Sequence, residues 1–322
     1  MNLPFHRTMR DHYLEARSAP NASLIFDRFA TWEDGWRAEG EHKRKFFKEF
    51  VECSTDRELL NAFLERQKQQ VDTLGGVTLE AETRGRFVSG LGGAHPFETG
   101  FAWHRALGVP YLPGSGVKGA VRAFAEQWSD EGDEAARLFG DPGEMGALVV
   151  LDALPTKPPT LETDVMTPHY GAYYGEGKAP GDYLSPIPVT FLAVAAGSAF
   201  RFSLLPARRG GEEALKHGAE LLRETLETIG AGAKTSAGYG VFAVKAPKKD
   251  LRFEQMRERI EAMNPAAIGS VPALVDELAN LPAGQKRREL AELIHAKFLA
   301  GKRKKMRDKP WFQKLRGMRD EG

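Results

Sequence analysis

The spacing of apolar residues divides the chain into three zones. Up to about residue 75 the pattern is helical and heavily charged. Leu59, Leu60, Phe63, Leu64, Val71 and Leu74 recur near helical spacing behind Thr55 or Asp56, either of which can cap the helix. That stripe reads as a packing face. From about 76 to 247 the period changes. Val77 to Val88 alternates like a strand with one wet face, a glycine-rich stretch follows, and Gly100 to Val109 is again extended. A turn over Pro110 to Gly114 leads into a helix of about 115–128, with Val117, Val121, Phe124 and Trp128 on one side. Ala147 to Leu151, Val189 to Val194 and Phe200 to Leu205 read as strands. A second amphipathic helix, about 212–229, carries Leu215, Ala219, Leu222, Leu226 and Ile229, and Tyr239 to Val244 forms the last strand.

With a Pro/Gly/Tyr-rich insertion at about 155–188 set aside, the order is strand, helix, strand, strand, helix, strand. That order predicts an α+β fold of the ferredoxin-like βαββαβ type, two helices covering one face of an antiparallel sheet. The zone from 248 to 322 returns to helix, broken at Pro265, Pro272, Pro282 and Pro310. The fold expected is therefore a central domain with a helical extension at each end. No internal repeat is visible.

Composition narrows the class only a little. The 322 residues are 42% hydrophobic and 28% charged, and the net charge of +1 leaves open whether any one surface is basic. Cys53, the one cysteine, excludes an internal disulfide and a thiolate zinc cluster, and reads as a buried small apolar residue. Such sparing cysteine use fits a reducing cytoplasm. Met1 to Tyr13 lacks the apolar core of a signal peptide, and no apolar run is long enough to span a membrane. The run from Lys302 to Arg319 reads as a solvated charged end. Trp311 and Phe312 among its charges leave RNA or partner docking as the alternative.

The candidate chemistry sits in two glycine loops. Pro113-Gly114-Ser115-Gly116-Val117-Lys118-Gly119 opens the first helix of the central zone, where free backbone amides and the helix dipole favour an anion. Lys118 and Arg122, four apart, share a side of that helix. The second loop, Gly230 to Gly240, follows the second helix and carries Lys234 and Thr235. Neither is a nucleotide-binding P-loop. Lys118 stands between Val117 and Gly119, while Lys234-Thr235 follows Ala233 and runs from helix to strand rather than strand to helix. The bland reading of each loop is a plain turn. Two lysine-bearing loops flanking the two helices of one fold predict instead a pair of phosphate contacts, provided that they converge.

Leu112 to Arg122 resembles the proline-glycine-serine-serine-x-lysine-glycine-x-x-arginine signature of the RAMP superfamily, and 230–240 resembles the superfamily's glycine-rich loop. Asn21 to Phe29, Val88 to Gly93, His95 to Gly100, and Asp164-Val165-Met166-Thr167-Pro168-His169-Tyr170 with Tyr173-Tyr174 resemble more narrowly the sixth-subunit family of the Cmr module, the type III-B CRISPR effector. The similarity covers about 20–245. It implies a cytoplasmic, non-catalytic RNA-binding subunit that caps a filament of related subunits and holds the 3′ part of the guide (crRNA). Its implied partners are guide and target RNA and other Cmr subunits, especially the backbone RAMP subunit and the small helical subunit. No cofactor, metal or membrane is implied. The residues implied to bind RNA are Gly114, Ser115, Gly116, Lys118 and Arg122 of the first loop and Gly232, Lys234, Thr235 and Gly238 of the second, with Arg84, Arg86, His169 and Tyr170. Gly116 departs from the signature, because it replaces the second serine and removes a hydroxyl.

A catalytic alternative draws on His95, Glu98, Asp164, His169 and Tyr170. Some RAMP relatives cleave CRISPR repeats without metal, and a histidine titrates in the right range to move the 2′-hydroxyl proton. That reading makes the chain a repeat-processing endoribonuclease. A metal site from Asp164, His169 and His95 is weaker, since no pair has the spacing that puts two ligands on one helical face. Tyr170, Tyr173, Tyr174 and Tyr183 of the insertion read equally as base-stacking groups and as a packing surface for a neighbouring subunit.

Overall fold

In the computed structural model the chain forms two compact units, Met1–Lys245 and Ala246–Gly322. The structure describes residues 6, 8, 21–29, 32, 40–51, 55–129, 131–141, 143–168, 171–179, 181, 186–245, 251–281, 285–299, 306 and 308–320. Cys53, His169, Tyr170 and Tyr183 lie outside the described residues.

The first unit opens with three helices, α1 (Ala22–Arg28), α2 (Gly40–Val51) and α3 (Arg57–Thr73). Side-chain caps begin two of them. Asn21 accepts from the Leu24 amide at 3.0 Å, and Asp56 rather than Thr55 accepts from Leu59 at 3.0 Å. The elements that follow are β1 (Val77–Thr83), β2 (Trp103–His104), β3 (Val109–Pro110), α4 (Gly114–Gln127), α5 (Gly132–Phe139), β4 (Gly140–Asp141), β5 (Glu144–Met145), β6 (Leu148–Val150), β7 (Leu154–Pro155) and β8 (Leu161–Met166). A short helix α6 (Gly171–Glu176), β9 (Val189–Val194), β10 (Ala199–Pro206), α7 (Glu212–Thr228) and β11 (Phe242–Val244) complete the unit.

The central sheet runs β11-β1-β10-β6, every neighbour antiparallel, and β7 also pairs with β10. Register places Leu79 opposite Phe202 and Ala81 opposite Phe200. These side chains share one core with Val117, Val121 and Phe124 of α4 and Leu215, Leu222 and Leu226 of α7. The two amphipathic helices therefore cover one sheet face, as their apolar stripes predict. Gly218 lets α7 lie directly on β6, since a Cβ there would stand 2.2 Å from Leu148 Cδ1. On the opposite face lies α3, whose Leu64 carbonyl accepts from Arg201 at 2.9 Å.

One strand differs from expectation. Val189–Val194 does not enter the central sheet; it pairs with Leu161–Met166 in a separate hairpin, six pairs long, that draws half its length from the expected insertion. Residues 191–194 are all buried, and a run buried on both sides carries no alternation to name its partner. Trp128, expected on the apolar side of α4, is instead 65% exposed, one residue past the helix end.

An aromatic cluster joins α1 and α2 to the loop after β1, through Phe26, Phe46, Phe47, Phe97, Phe101 and Trp103. His95 belongs to it. Its ring stacks on Phe26 at 4.2 Å, Nδ1 accepts from the Phe97 amide at 3.1 Å, and Nε2 donates to the Phe26 carbonyl at 2.9 Å.

The second unit holds α8 (Leu251–Ala262), α9 (Val271–Ala279), α10 (Gln285–Leu299) and α11 (Pro310–Asp320) around a core of its own, including Phe253, Ile260, Leu274, Ile294, Phe298 and Leu315. Trp311 and Phe312 are partly buried against that core, so they help to close this unit. Among the described residues no helix is long and apolar enough to cross a membrane.

Burial lowers the pKa of His95, and of His104, below the ordinary imidazole value. Both are neutral in the fold and take up protons more readily once unfolded. Their contribution to stability is complete above a pH of about 6.5 and is lost as pH falls through the lower folded values. The urea midpoint is expected to drop between pH 7.5 and 5.5, with a shallower drop in His95→Gln. A pH-independent midpoint would contradict the burial argument.

Candidate nucleic-acid interface

The first glycine loop is shaped by close approach. Leu112 and Ala153 exchange backbone hydrogen bonds of 3.1 and 2.9 Å, which presses the start of α4 onto the end of β6. A Cβ at Gly114 would meet the Val150 carbonyl oxygen at 2.3 Å. The Gly114 amide donates to Asp152 Oδ1 at 2.7 Å, so a carboxylate of the chain itself takes the amide expected to meet a phosphate. The Gly116 and Val117 amides both donate to the Pro113 carbonyl. Among the described residues the Ser115 amide has no partner, and its side chain is exposed.

The second loop is held by its glycines. Gly230, Gly232 and Gly240 have φ of +74°, +109° and +68°, a region that side chains resist. Ala231 donates to the Gly240 carbonyl, Gly240 to Arg86 and Ala233 to Val88, each at 2.8 Å. A Cβ at Gly232 would stand 2.6 Å from the Val88 oxygen and 2.8 Å from the Phe87 ring. Lys234 is left-handed at φ +60°, an uncommon state for a residue with a Cβ. Its Nζ lies 3.7 Å from Met166 Sδ and 5.7 Å from the centre of the Phe191 ring, with no carboxylate partner among the described residues.

The two loops face each other across one cleft of about 580 Å³. Gly116, Ala120 and Ala123 of α4 form one wall, Gly230 to Ala233 and Thr235 another, and Ser89 to Gly92 a third. Among the described residues no carboxylate lines it, and small residues leave the backbone accessible. The amides of Gly90, Leu91, Gly92, Ser115, Gly232 and Thr235 have no partner among the described residues.

The expected residues line this cleft only in part: Ser115, Gly116, Gly232 and Thr235 do. Neither lysine lines the cleft. At ~100° per residue Lys118 points about 200° away from Gly116 around α4. Arg122, one turn on, is engaged by Glu126 at 2.6 Å, Asp141 and the Gly140 carbonyl. Arg86 pairs with Glu162 and, at 2.9 Å, with Asp164, which also accepts from Tyr239. The hydrogen bond that Arg86 donates to Glu162 raises the Arg86 pKa. Burial alone would raise that of Asp164, but Tyr239, the Val165 amide and Arg86 outweigh it and hold the carboxyl low. Arg86 is thus a strut joining the chain after β1 to the β8–β9 hairpin. Arg84 and Gly238 are exposed near it, Arg84 with no side-chain partner among the described residues. Of the catalytic candidates, the described three are engaged elsewhere, and His169 and Tyr170 lie outside the described residues. Both nitrogens of His95 are engaged in the aromatic cluster, Glu98 pairs with Lys43 at 2.7 Å, and Asp164 is taken up as above. Among the described residues no three His, Cys, Asp or Glu side chains gather to hold a metal.

The sequence model of the RAMP superfamily matches residues 78–243, from β1 through β11. The chain belongs to the RAMP superfamily. Two relatives share its sequence, both named Cmr6 subunits of a CRISPR Cmr system. That of Pyrococcus furiosus is 29% identical over 57% of this chain and 72% of its own length, and that of Saccharolobus solfataricus is 30% identical over 64% and 66%. A chain of the type III-B Cmr-beta complex, solved by cryo-electron microscopy bound to cognate target RNA, superposes with a TM-score of 0.52 at 25% identity, over 74% of this chain and 87% of that one. The superfamily match spans all three cleft walls and ends before α8.

The RAMP signature is accordingly split between architecture and exposed surface. Gly114, Gly230, Gly232 and Gly240 are required by packing, whereas Gly116 and Gly238 are not: a Cβ at Gly116 meets only Leu112 Cδ1 at 3.5 Å, and one at Gly238 meets nothing. Missing from the expected set were Asp152 and the Ser89–Gly92 wall; the glycines of that wall were the available signal. Gly232→Ala is expected to cost more than about 2 kcal/mol in urea denaturation and Gly238→Ala about 1 kcal/mol, since only the first adds a clash to the backbone strain. Equal costs would show that the Phe87–Val88 contact does not constrain the loop.

Proposed function

We propose that this RAMP chain is a non-catalytic RNA-binding subunit of a type III-B CRISPR effector, working in the cytoplasm. Its strand order, last-first-third-second, supports the ferredoxin-like βαββαβ reading of the fold. The observation that carries the function is the shared cleft. Two loops more than a hundred residues apart in sequence supply unpaired amides and the hydroxyls of Ser115 and Thr235 to one groove without a carboxylate. Groups of that kind hold a sugar-phosphate backbone in register without reading bases.

Guide RNA, next to its target, is the ligand this reading assigns to the cleft. The names of the relatives and the Cmr-beta superposition support other Cmr subunits as protein partners; the backbone RAMP subunit and the small helical subunit are the two that this reading assigns. Capping of the filament and retention of the 3′ end of the guide extend the same reading. His95 as a core residue supports a role without catalysis.

Gly116→Glu tests the proposal cleanly. A carboxylate in the first turn of α4 suits the helix dipole, so the fold is spared while a negative charge enters the cleft. Binding of single-stranded guide RNA at 0.1 M salt is expected to weaken at least tenfold, against little change in Gly116→Gln, and the RNA should remain uncleaved on a denaturing gel. Unchanged affinity in Gly116→Glu, or cleaved repeat RNA, overturns the reading.

A further inference from the structure

Among the described residues two side-chain-bearing positions have a left-handed backbone, Lys234 at φ +60° and Glu98 at φ +70°. Lys234 belongs to the second glycine loop, and Glu98 lies in the turn behind the third wall of the cleft. Glycine would adopt that backbone freely, so a glutamate there is strained for the sake of its side chain. The side chain has one partner. Glu98 Oε2 accepts from Lys43 Nζ of α2 at 2.7 Å. The Lys43 side chain is only 9% exposed against 69% for Glu98, and its Nζ lies 6.0 Å from the centre of the Phe47 ring. An ammonium so withdrawn from water depends on its carboxylate, and no second one reaches it among the described residues.

From Glu98 the chain runs directly under the third wall. The Thr99 hydroxyl donates to the Thr190 carbonyl of β9 at 3.3 Å. The Gly100 amide donates to the Leu91 carbonyl at 3.1 Å and the Ala102 amide to the Ser89 carbonyl at 2.7 Å. A Cβ at Gly100 would stand 2.6 Å from the Gly93 oxygen and 2.7 Å from the Gly90 oxygen, so wall and backing segment touch through their backbones. The direction that the chain takes at Glu98 therefore decides where the free amides of Gly90, Leu91 and Gly92 stand. Stability alone does not account for the pair. An apolar side chain at 43 and a glycine at 98 would spare both the desolvated charge and the left-handed strain.

We propose that Lys43 and Glu98 are positioning residues for the RNA cleft: their ion pair ties the left-handed turn to α2 and so holds the Ser89–Gly92 wall in register with the two glycine loops. Neither residue lines the cleft. The inference rests on the reading of that cleft as an RNA site. It gives the helices ahead of the superfamily match, which begins at residue 78, a part in that site as its brace.

The test is made on the full chain carrying Lys43→Met with Glu98→Gly. Methionine fills the place of the lysine stem among the aromatic rings, and glycine accepts the backbone angle. The melting temperature is expected to stay at or above the parental value. The dissociation constant for single-stranded guide RNA at 0.1 M salt is expected to rise about fivefold as the wall loses its preorganisation. In the free protein the bonded amides of Gly93, Gly100 and Ala102 should exchange their hydrogens about tenfold faster. Lys43→Met alone, which leaves Glu98 in water, is a second variant with the same expected signs. Parental affinity with parental exchange overturns the proposal, and so does a lowered melting temperature with unchanged affinity, which would make the pair a brace of the fold only. Gly116→Glu weakening RNA while both variants bind normally keeps the cleft and removes the positioning role. Normal binding in Gly116→Glu removes the cleft, and this proposal with it.

Discussion

The cleft exists because the second glycine loop is pinned to the chain just after β1. The Ala233 amide donates to the Val88 carbonyl, and the Gly232 Cα lies where any Cβ would strike Val88 and the Phe87 ring. Phe87 in turn packs on Phe200 and Phe242 of the central sheet and bridges to Val194 of the β8–β9 hairpin. One contact therefore fixes the loop to both sheets at once. The wall of the cleft at 230–235 inherits its position from that anchor, and the wall at 113–123 inherits its own from the close approach of Gly114 to β6.

Most signature glycines thus serve the protein's own packing, and only the positions left over are free for a ligand. Gly116 and the amides of Ser115, Gly232 and Thr235 are the groups so left. The charged residues divide in the same manner. Arg86 and Arg122 are consumed by carboxylates, Lys118 lies on the far flank of its helix, and Lys234 rests on Phe191 and Met166. The groove offers directed amides, with cations set outside it.

Much of this was legible in sequence, for identifiable reasons. The stripes at Val117, Val121, Phe124 and at Leu215, Leu222, Leu226 name the buried helix faces, and the alternation at Leu79 and Ala81 names the inner face of β1. The glycine loops could be found, but not the flank of α4 that faces the second loop. A stripe at 117, 121 and 124 leaves residues 116, 120, 123 on one side and 118, 122 on the other, and only the tertiary fold chooses between them. The partner of Val189–Val194 was hidden by its continuous apolar run. Asp152 was hidden because a lone aspartate between strands gives no sign that it will cap a helix begun 38 residues earlier. Charge told least as a total, because the two units nearly cancel.

Ultraviolet crosslinking of the full chain to single-stranded guide RNA, with the modified peptides mapped by mass spectrometry, reaches the central claim most directly. The account predicts crosslinks in both 113–123 and 229–235 on the same RNA, because the two segments are walls of one groove. Crosslinks confined to one segment, or absent from both while the RNA remains bound, would contradict it.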